Sequence, residues 1–256
     1  MAILSIQASP RSDRSLSRKL SAVFMDAWRT ARPEEIVLSR DVGRSPPPHL
    51  TENWIGAAFT EGAARTAAQE EALRISDELV DEVLRSEVIV IATPMYNYGM
   101  PSHLKAWIDQ VIRINRTLTF DLARGEQPIE PVQSGKRLVL LTSSGEGCFG
   151  PGEANAERNH LDTHIAHALA LAGVSETHRV RIEFQEFGDD RHKASVAAAY
   201  STARELARRL AKATSAASTL SAGRFPHREL ATQTKHCVDG SDLGQTQSVP
   251  HETPRP

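Results

Sequence analysis

Short apolar runs alternate with amphipathic segments along the first 212 residues, and that alternation leaves few folds open. Ala2 to Gln7, Glu87 to Thr93 and Arg137 to Thr142 are runs of strand length with little polar interruption, the pattern of strands covered on both faces. Between them the apolar residues fall at helical spacing. Leu16, Leu20, Val23, Phe24 and Ala27 follow Ser15; Leu73, Leu79, Val80, Val83 and Leu84 lie within Gln69 to Arg85; Leu104, Trp107, Ile108, Val111 and Ile112 follow Pro101 and Ser102. Arg158 to Ala172 reads as a further helix, His178 to Phe184 as a last strand, and Asp189 to Ala211 as an amphipathic helix carrying Val196, Tyr200, Ala203, Leu206 and Leu210. Glu35 to Leu38 supplies a short second strand. Val42 to Ala64 contains Pro46, Pro47 and Pro48 and little periodicity, so it reads as a long loop. Strand and helix in alternation predict an α/β fold: a doubly wound, parallel, five-stranded sheet with helices on both faces.

Charge and cysteine content narrow the function. Lys and Arg number 30 and Asp and Glu 32, a formal net charge of -2, which gives no overall field to hold nucleic acid or an acidic membrane. Cys148 and Cys237 form neither a disulfide framework nor a metal-ligand spacing, as expected of a reducing cytoplasm. The N-terminus has no basic start, and no stretch approaches the ~20 apolar residues of a membrane span. From Thr214 the composition shifts to Ser, Thr, Gln, His, Pro and Gly, too polar to repay its ordering entropy. Residues 213–256 are therefore expected to be a disordered tail on a domain of residues 1–212.

The strand ends carry the chemistry. In an open α/β sheet, small molecules bind beyond the carboxyl ends of the strands. Ser9-Pro-Arg-Ser-Asp-Arg-Ser-Leu-Ser17 joins the first strand to the first helix, so its hydroxyls and amides face the positive end of that helix. Such a loop suits a phosphate, although Ser15 taken by itself reads more readily as a plain helix cap. Neither Gly-x-x-x-x-Gly-Lys nor Gly-x-Gly-x-x-Gly follows the first strand, which disfavours nucleoside triphosphates and a dinucleotide fingerprint. Thr93-Pro-Met-Tyr-Asn-Tyr98 either offers an amide and two aromatics to a flat heterocycle or is a structural turn alone, and Ser143-Ser-Gly-Glu146 ends the next strand.

These three motifs resemble the FMN-dependent NADH azoreductases, which are also quinone reductases. The likeness rests on Ser9, Ser15 and Ser17 in the spacing Ser-x(5)-Ser-x-Ser, on Pro94-Met-Tyr-Asn-Tyr98 followed by Leu104-Lys-Ala-Trp-Ile-Asp109, and on Thr142-Ser-Ser-Gly145, in order over roughly residues 1–212. The resemblance implies a flavodoxin-like fold, a homodimer and FMN near the subunit interface. It places Ser9, Ser15, Leu16 and Ser17 around the phosphate, Pro94, Met95, Tyr96, Asn97 and Tyr98 along the isoalloxazine, and Ser143, Ser144, Gly145 and Glu146 across the ring. The implied activity takes electrons from NADH or NADPH to a quinone or azo acceptor by a ping-pong cycle, with no side chain assigned as catalytic. Glu146 stands where the family usually has a second glycine, and Asn115-Arg116 replaces a glycine-containing turn.

Other readings compete. A flavin-binding electron carrier without turnover is expected to be smaller and strongly acidic, and a domain working through its tail without flavin is a third class. His160, His164 and His167, with Asp162, recur at helical spacing and could form a metal face, but Leu161, Ile165 and Ala168 share that face, so no metal is expected. Cys148 beside the third loop reads as an idle thiol. Trp107 and Tyr200 read as core, and Arg11 and Arg14 either pair with phosphate or face solvent.

Overall fold

The structure is a computed structural model that describes residues 2–221; most of the expected tail, residues 222–256, lies outside the described residues. In chain order the elements are β1 (Ala2–Gln7), α1 (Leu16–Ala31), β2 (Ile36–Asp41), α2 (Glu52–Phe59), α3 (Ala67–Arg85), β3 (Ser86–Pro94), α4 (Ser102–Val111), β4 (Leu118–Phe120), β5 (Ile129–Pro131), β6 (Lys136–Ser143), α5 (His160–Ala170), β7 (Val174–Ile182) and α6 (Asp190–Ser221). The main sheet has five strands in the order β2-β1-β3-β6-β7, all parallel. This is the expected doubly wound architecture.

Residues along a strand point alternately to its two faces, and here both sets are apolar. Ile3, Val88, Val90, Ala92, Val139 and Leu141 pack with Leu20, Phe24 and Trp28 of α1 and Ala203, Leu206 and Leu210 of α6. Leu4, Ile6, Ile89, Ile91, Leu138 and Leu140 pack with Leu79 and Val83 of α3, Leu104 and Trp107 of α4, and Leu161 and Ile165 of α5. Two cores therefore sandwich one sheet. Trp107 is fully buried, and Tyr200 packs against the second core. Among the described residues no helix is long and apolar enough to cross a membrane.

Helix starts follow their caps. Ser15 accepts from Arg18 N–H, Thr66 and Gln69 form a reciprocal capping box, and Asn159 accepts from Asp162 N–H, each satisfying amides that the first turn leaves open.

The segment read as one long loop contains α2. Thr51 caps it, and Trp54, Ala57 and Ala58 bury against Leu73 of α3. Eight residues carry too little periodicity to stand out behind three prolines; tertiary contact supplies what propensity does not. The last strand begins at Val174 rather than His178, because an edge strand half open to solvent shows its apolar alternation only at Val180 and Ile182. Gly173 sets that start: its φ is +93°, and a Cβ there would lie 2.2 Å from Gln133 O. An antiparallel β4–β5 hairpin, unassigned from sequence, fills the connection from α4 to β6. At the turn before it, Asn115 takes the left-handed backbone (φ 61°) that glycine would provide, and Arg116 pairs with Asp77 and Asp81 of α3.

Gln110 binds α2 to this frame. Its Oε1 accepts from Trp54 Nε1 at 2.9 Å and its Nε2 donates to Pro48 O at 2.9 Å, with Gln110 only 1% exposed. Gln110→Leu strands both partners, so urea unfolding should show a loss of about 1–3 kcal/mol. Adding Trp54→Phe to that variant should cost less than the same change in the unaltered protein, a coupling that a double-mutant cycle reads directly.

Candidate functional site

The chain runs from β1 outward to β2, then returns across the sheet to β3, β6 and β7. The order reverses between β1 and β3, and the loops leaving those strands diverge to opposite faces; that split opens a crevice at their carboxyl ends. One cleft lies there, lined from β1 by Ser9, Arg11, Arg14, Ser15 and Leu16, from β3 by Pro94, Met95 and Tyr96, and from beyond β6 and β7 by Ser143, Ser144, Gly145, Gln185 and Glu186. Nine of the sequence-predicted residues meet in it.

The first loop is held in place from behind. Arg18, one turn into α1, donates through Nε to Arg11 O (2.8 Å) and Ser9 O (3.1 Å), and through its terminal nitrogens to both oxygens of Asp41 at 2.7 Å each. A bidentate guanidinium–carboxylate pair fixes angle as well as distance. Burial pushes the Asp41 carboxyl upward, but the hydrogen bonds from Arg18 outweigh it and hold the group below its ordinary value. Gly43 completes the clamp: its N–H donates to Gln7 O at 3.0 Å, and a Cβ there would lie 2.3 Å from Ser9 O. Ser9 and Ser15 are 1% and 4% exposed. Arg11 N–H donates to Ser9 Oγ at 3.3 Å. Ser17 stands behind the cleft wall, fully buried, its hydroxyl 3.3 Å from that of Ser15. No acid occupies the first turn of α1, so the helix presents an uncompensated positive end.

The second loop is a tight turn. Tyr96 N–H donates to Gly99 O at 3.0 Å and Gly99 N–H to Tyr96 O at 2.9 Å, while Met95 N–H is committed to Ser143 O at 2.8 Å. Asn97 and Tyr98 both have positive φ, 50° and 63°, the geometry of a type I′ turn, whose central amides stay out of the hydrogen-bonded ring. The amides of Asn97 and Tyr98, not those of Met95 and Tyr96, are therefore the ones open to a ligand. Asn97 lines a neighbouring cavity with His103, Lys105 and His164 rather than the main cleft. Tyr98 donates its hydroxyl to Glu146 Oε1 at 3.3 Å, joining the second loop to the third. His103 Nε2 lies 2.6 Å from Ala8 O; a carbonyl only accepts, so that nitrogen carries the proton.

The third loop is zipped to the segment after β7. Gln185 N–H donates to Ser144 O, Glu186 N–H to Gly145 O and Phe184 N–H to Glu146 O, at 3.1–3.2 Å. A Cβ on Gly145 would sit 2.8 Å from Glu186 Cγ, Cδ and Oε1. The open side of Gly145 thus receives a carboxylate side chain. Arg18, Gln185 and Glu186 carry no sequence signal of their own: nothing local marks Arg18 as a loop brace, and Gln185-Glu186 follows an edge strand that ends at Ile182, not at the expected Phe184.

The enclosed part of the cleft measures about 130 Å³, below the roughly 300–1,000 Å³ that swallows a whole ligand. A larger ligand must lie partly across the open side. Among the described residues no group of three or more His, Cys, Asp or Glu side chains is placed to hold a metal; Asp162 faces Arg181 and Arg179 instead.

Arg18→Lys keeps the charge and loses the fork. Chemical denaturation should register a loss of about 1–3 kcal/mol. Because the folded Asp41 carboxyl is held below 3.8, its contribution is present above that pH and lost as pH falls through the lowered folded value. Acid unfolding of the variant should therefore be less steep in that window than that of the unaltered protein.

A family model described as "Flavodoxin-like fold" matches residues 1–207. The chain is 47% identical over 196 residues to FMN-dependent NADH:quinone oxidoreductase 2 of Colwellia psychrerythraea, covering 77% of this chain and 90% of that protein. It is 44% identical over 187 residues to FMN-dependent NAD(P)H:quinone oxidoreductase 1 of Pseudomonas aeruginosa, covering 73% and 88%. Among solved structures, an azoreductase from Bacillus anthracis superposes with a TM-score of 0.72 at 21% identity, over 82% of this chain and 99% of that one. Sheet order, crevice and family match agree, and the chain belongs to the flavodoxin-like fold family.

Proposed function

We propose that the chain is an FMN-dependent oxidoreductase that carries electrons from NADH or NADPH to quinones and azo compounds. The observation that carries this reading is the cleft at the strand-order reversal, where an acid-free helix start, buried serine hydroxyls and two arginines face the ends of β3 and β6. That donor set fits a phosphate monoester: Ser9 and Ser15 would hold it through hydroxyls, Leu16 and Ser17 through the first amides of α1, and Arg11 and Arg14 through charge. Pro94, Met95 and Tyr96 would flank the ring, Asn97 and Tyr98 would offer their amides, and Ser143, Ser144 and Gly145 would bound its far side, with Glu146 behind them on Tyr98. The quinone oxidoreductases named above, at 44–47% identity, support the same reading.

Bound FMN supplies two-electron exchange with the nicotinamide and the acceptor, chemistry no side chain offers. The protein's part is placement: the braced first loop anchors one end, and the shallow cleft leaves the other end open to substrates. Donor and acceptor take that open face in turn, so initial-rate lines at several fixed acceptor concentrations run parallel, the ping-pong pattern. No side chain is assigned as general acid or base. A second copy of the chain would cover the open face, and exposed Phe120, Leu122, Ile129 and Val132 on and beside the β4–β5 hairpin give such a homodimer apolar surface to bury. A reducing cytoplasm supplies the donor.

The purified protein should bind FMN, lose its visible flavin absorption on anaerobic NADH addition and regain it with a quinone. An azo dye should consume two NADH per bond cleaved to two amines, since that cleavage takes four electrons. Arg14→Ala should weaken FMN binding roughly 10- to 100-fold, the worth of a hydrogen bond to a charged group. A chain that binds no FMN would falsify the proposal.

A further inference from the structure

The cleft is electrically polarised. Its β1 side carries Arg11, Arg14 and the positive end of α1, while its β6–β7 side carries Glu186, with Glu146 behind it on the third loop. β1 and β6 flank β3, so the two sides stand about 10 Å apart at ordinary strand spacing. The acids are not equivalent. Glu146 accepts from the Tyr98 hydroxyl. Glu186 has no hydrogen-bonding or ionic partner for its carboxylate among the described residues, yet backbone bonds from Phe184, Gln185 and Glu186 to the third loop fix its Cα beside Gly145. Its side chain lies on the bare Cα of Gly145. The nearby cation of α6, Arg191, is committed to Asp189 at 2.7 Å and to the faces of Phe184 and Phe187. An unneutralised charge is thus held at one defined place in the cleft.

We propose that Glu186 is a positioning residue that sets the reduction potential of the bound flavin, an inference resting on the FMN reading above. Hydride transfer from NAD(P)H brings two electrons and one proton, and so adds one negative charge until a second proton arrives from solvent. That added charge develops on the ring, the part of FMN remote from the phosphate. With the phosphate at the β1 side, the ring end lies toward Glu186, whose carboxylate, exposed at the cleft's open side, opposes the new charge across a short distance that solvent screens only in part. Glu186 therefore favours the oxidised cofactor over the reduced one and makes the loaded protein a stronger reductant toward quinones. The Arg11–Arg14 side holds both redox forms alike, because the phosphate charge does not change.

The test compares FMN dissociation constants for oxidised and anaerobically reduced cofactor, by fluorescence and absorption titration, in the unaltered protein, Glu186→Gln and Glu186→Asp. A spectroelectrochemical titration of each loaded protein gives the potential independently. Glu186→Gln should tighten reduced FMN relative to oxidised FMN by roughly tenfold, which for a two-electron couple is ~30 mV more positive. Glu186→Asp keeps the charge and should keep most of the unaltered ratio. Arg14→Ala, acting on the phosphate, should weaken both forms equally. If Glu186→Gln changes both affinities by the same factor, or neither, the inference is overturned and Glu186 is only a steric neighbour of Gly145. If the unaltered protein binds FMN in neither form, the functional reading falls and takes this one with it.

Discussion

Double-sided burial of β1, β3 and β6 is the constraint from which the rest follows. A strand apolar on both faces cannot lie at a surface, so helices must cover it above and below, and each parallel neighbour then needs a crossover. Right-handed crossovers carry the chain across one face while it moves one way along the sheet and across the other face when it turns back. The crevice at the β1–β3 boundary is a by-product of that reversal. Ile89, Ile91, Leu138 and Leu140, all fully buried, thus decide where a ligand can sit although none of them lies in the cleft.

The frame alone does not shape the cleft. Its first wall is a loop with no regular structure between Gln7 and Leu16, and Arg18 makes that loop rigid by tying two of its carbonyls to Asp41 at the end of β2. The second wall is a turn of two residues, and the third is a strand end zipped to the segment after β7. All three are pinned from within the chain, the first by the Arg18 side chain and the other two by neighbouring backbone. Such preorganisation lowers the ordering entropy that binding would otherwise have to meet.

The legible part of this fold was its periodic part. Ala2 to Gln7, Ile89 to Thr93 and Leu138 to Leu141 announce buried strands in composition alone, and Ser9, Ser15, Pro94 to Tyr96 and Ser143 to Gly145 meet in one cleft because they follow those strands. What escaped reading depends on contacts distant in sequence. α2 owes its place to Trp54 meeting Gln110, 56 residues away; Arg18 matters through Asp41, 23 residues on; Glu186 enters the cleft only because β7 begins at Val174 and ends at Ile182. Ser17 and Glu146 show the opposite case: adjacent in sequence to lining residues, they face a hydroxyl or a tyrosine behind the wall.

The turn at Asn97 and Tyr98 has a consequence for motion. A tyrosine in the left-handed region carries strain of about 1–2 kcal/mol, so the turn persists only while its surroundings hold it. One holding contact is Tyr98 O accepting from His160 N–H, the first residue of α5, at 3.1 Å; another is the Tyr98 ring, 6.3 Å from that of Phe149. Release of the turn therefore loosens the start of α5, and fraying of α5 lets the turn relax. The two belong to one cooperative unit, whose amides would exchange with solvent together and ahead of the sheet beneath them.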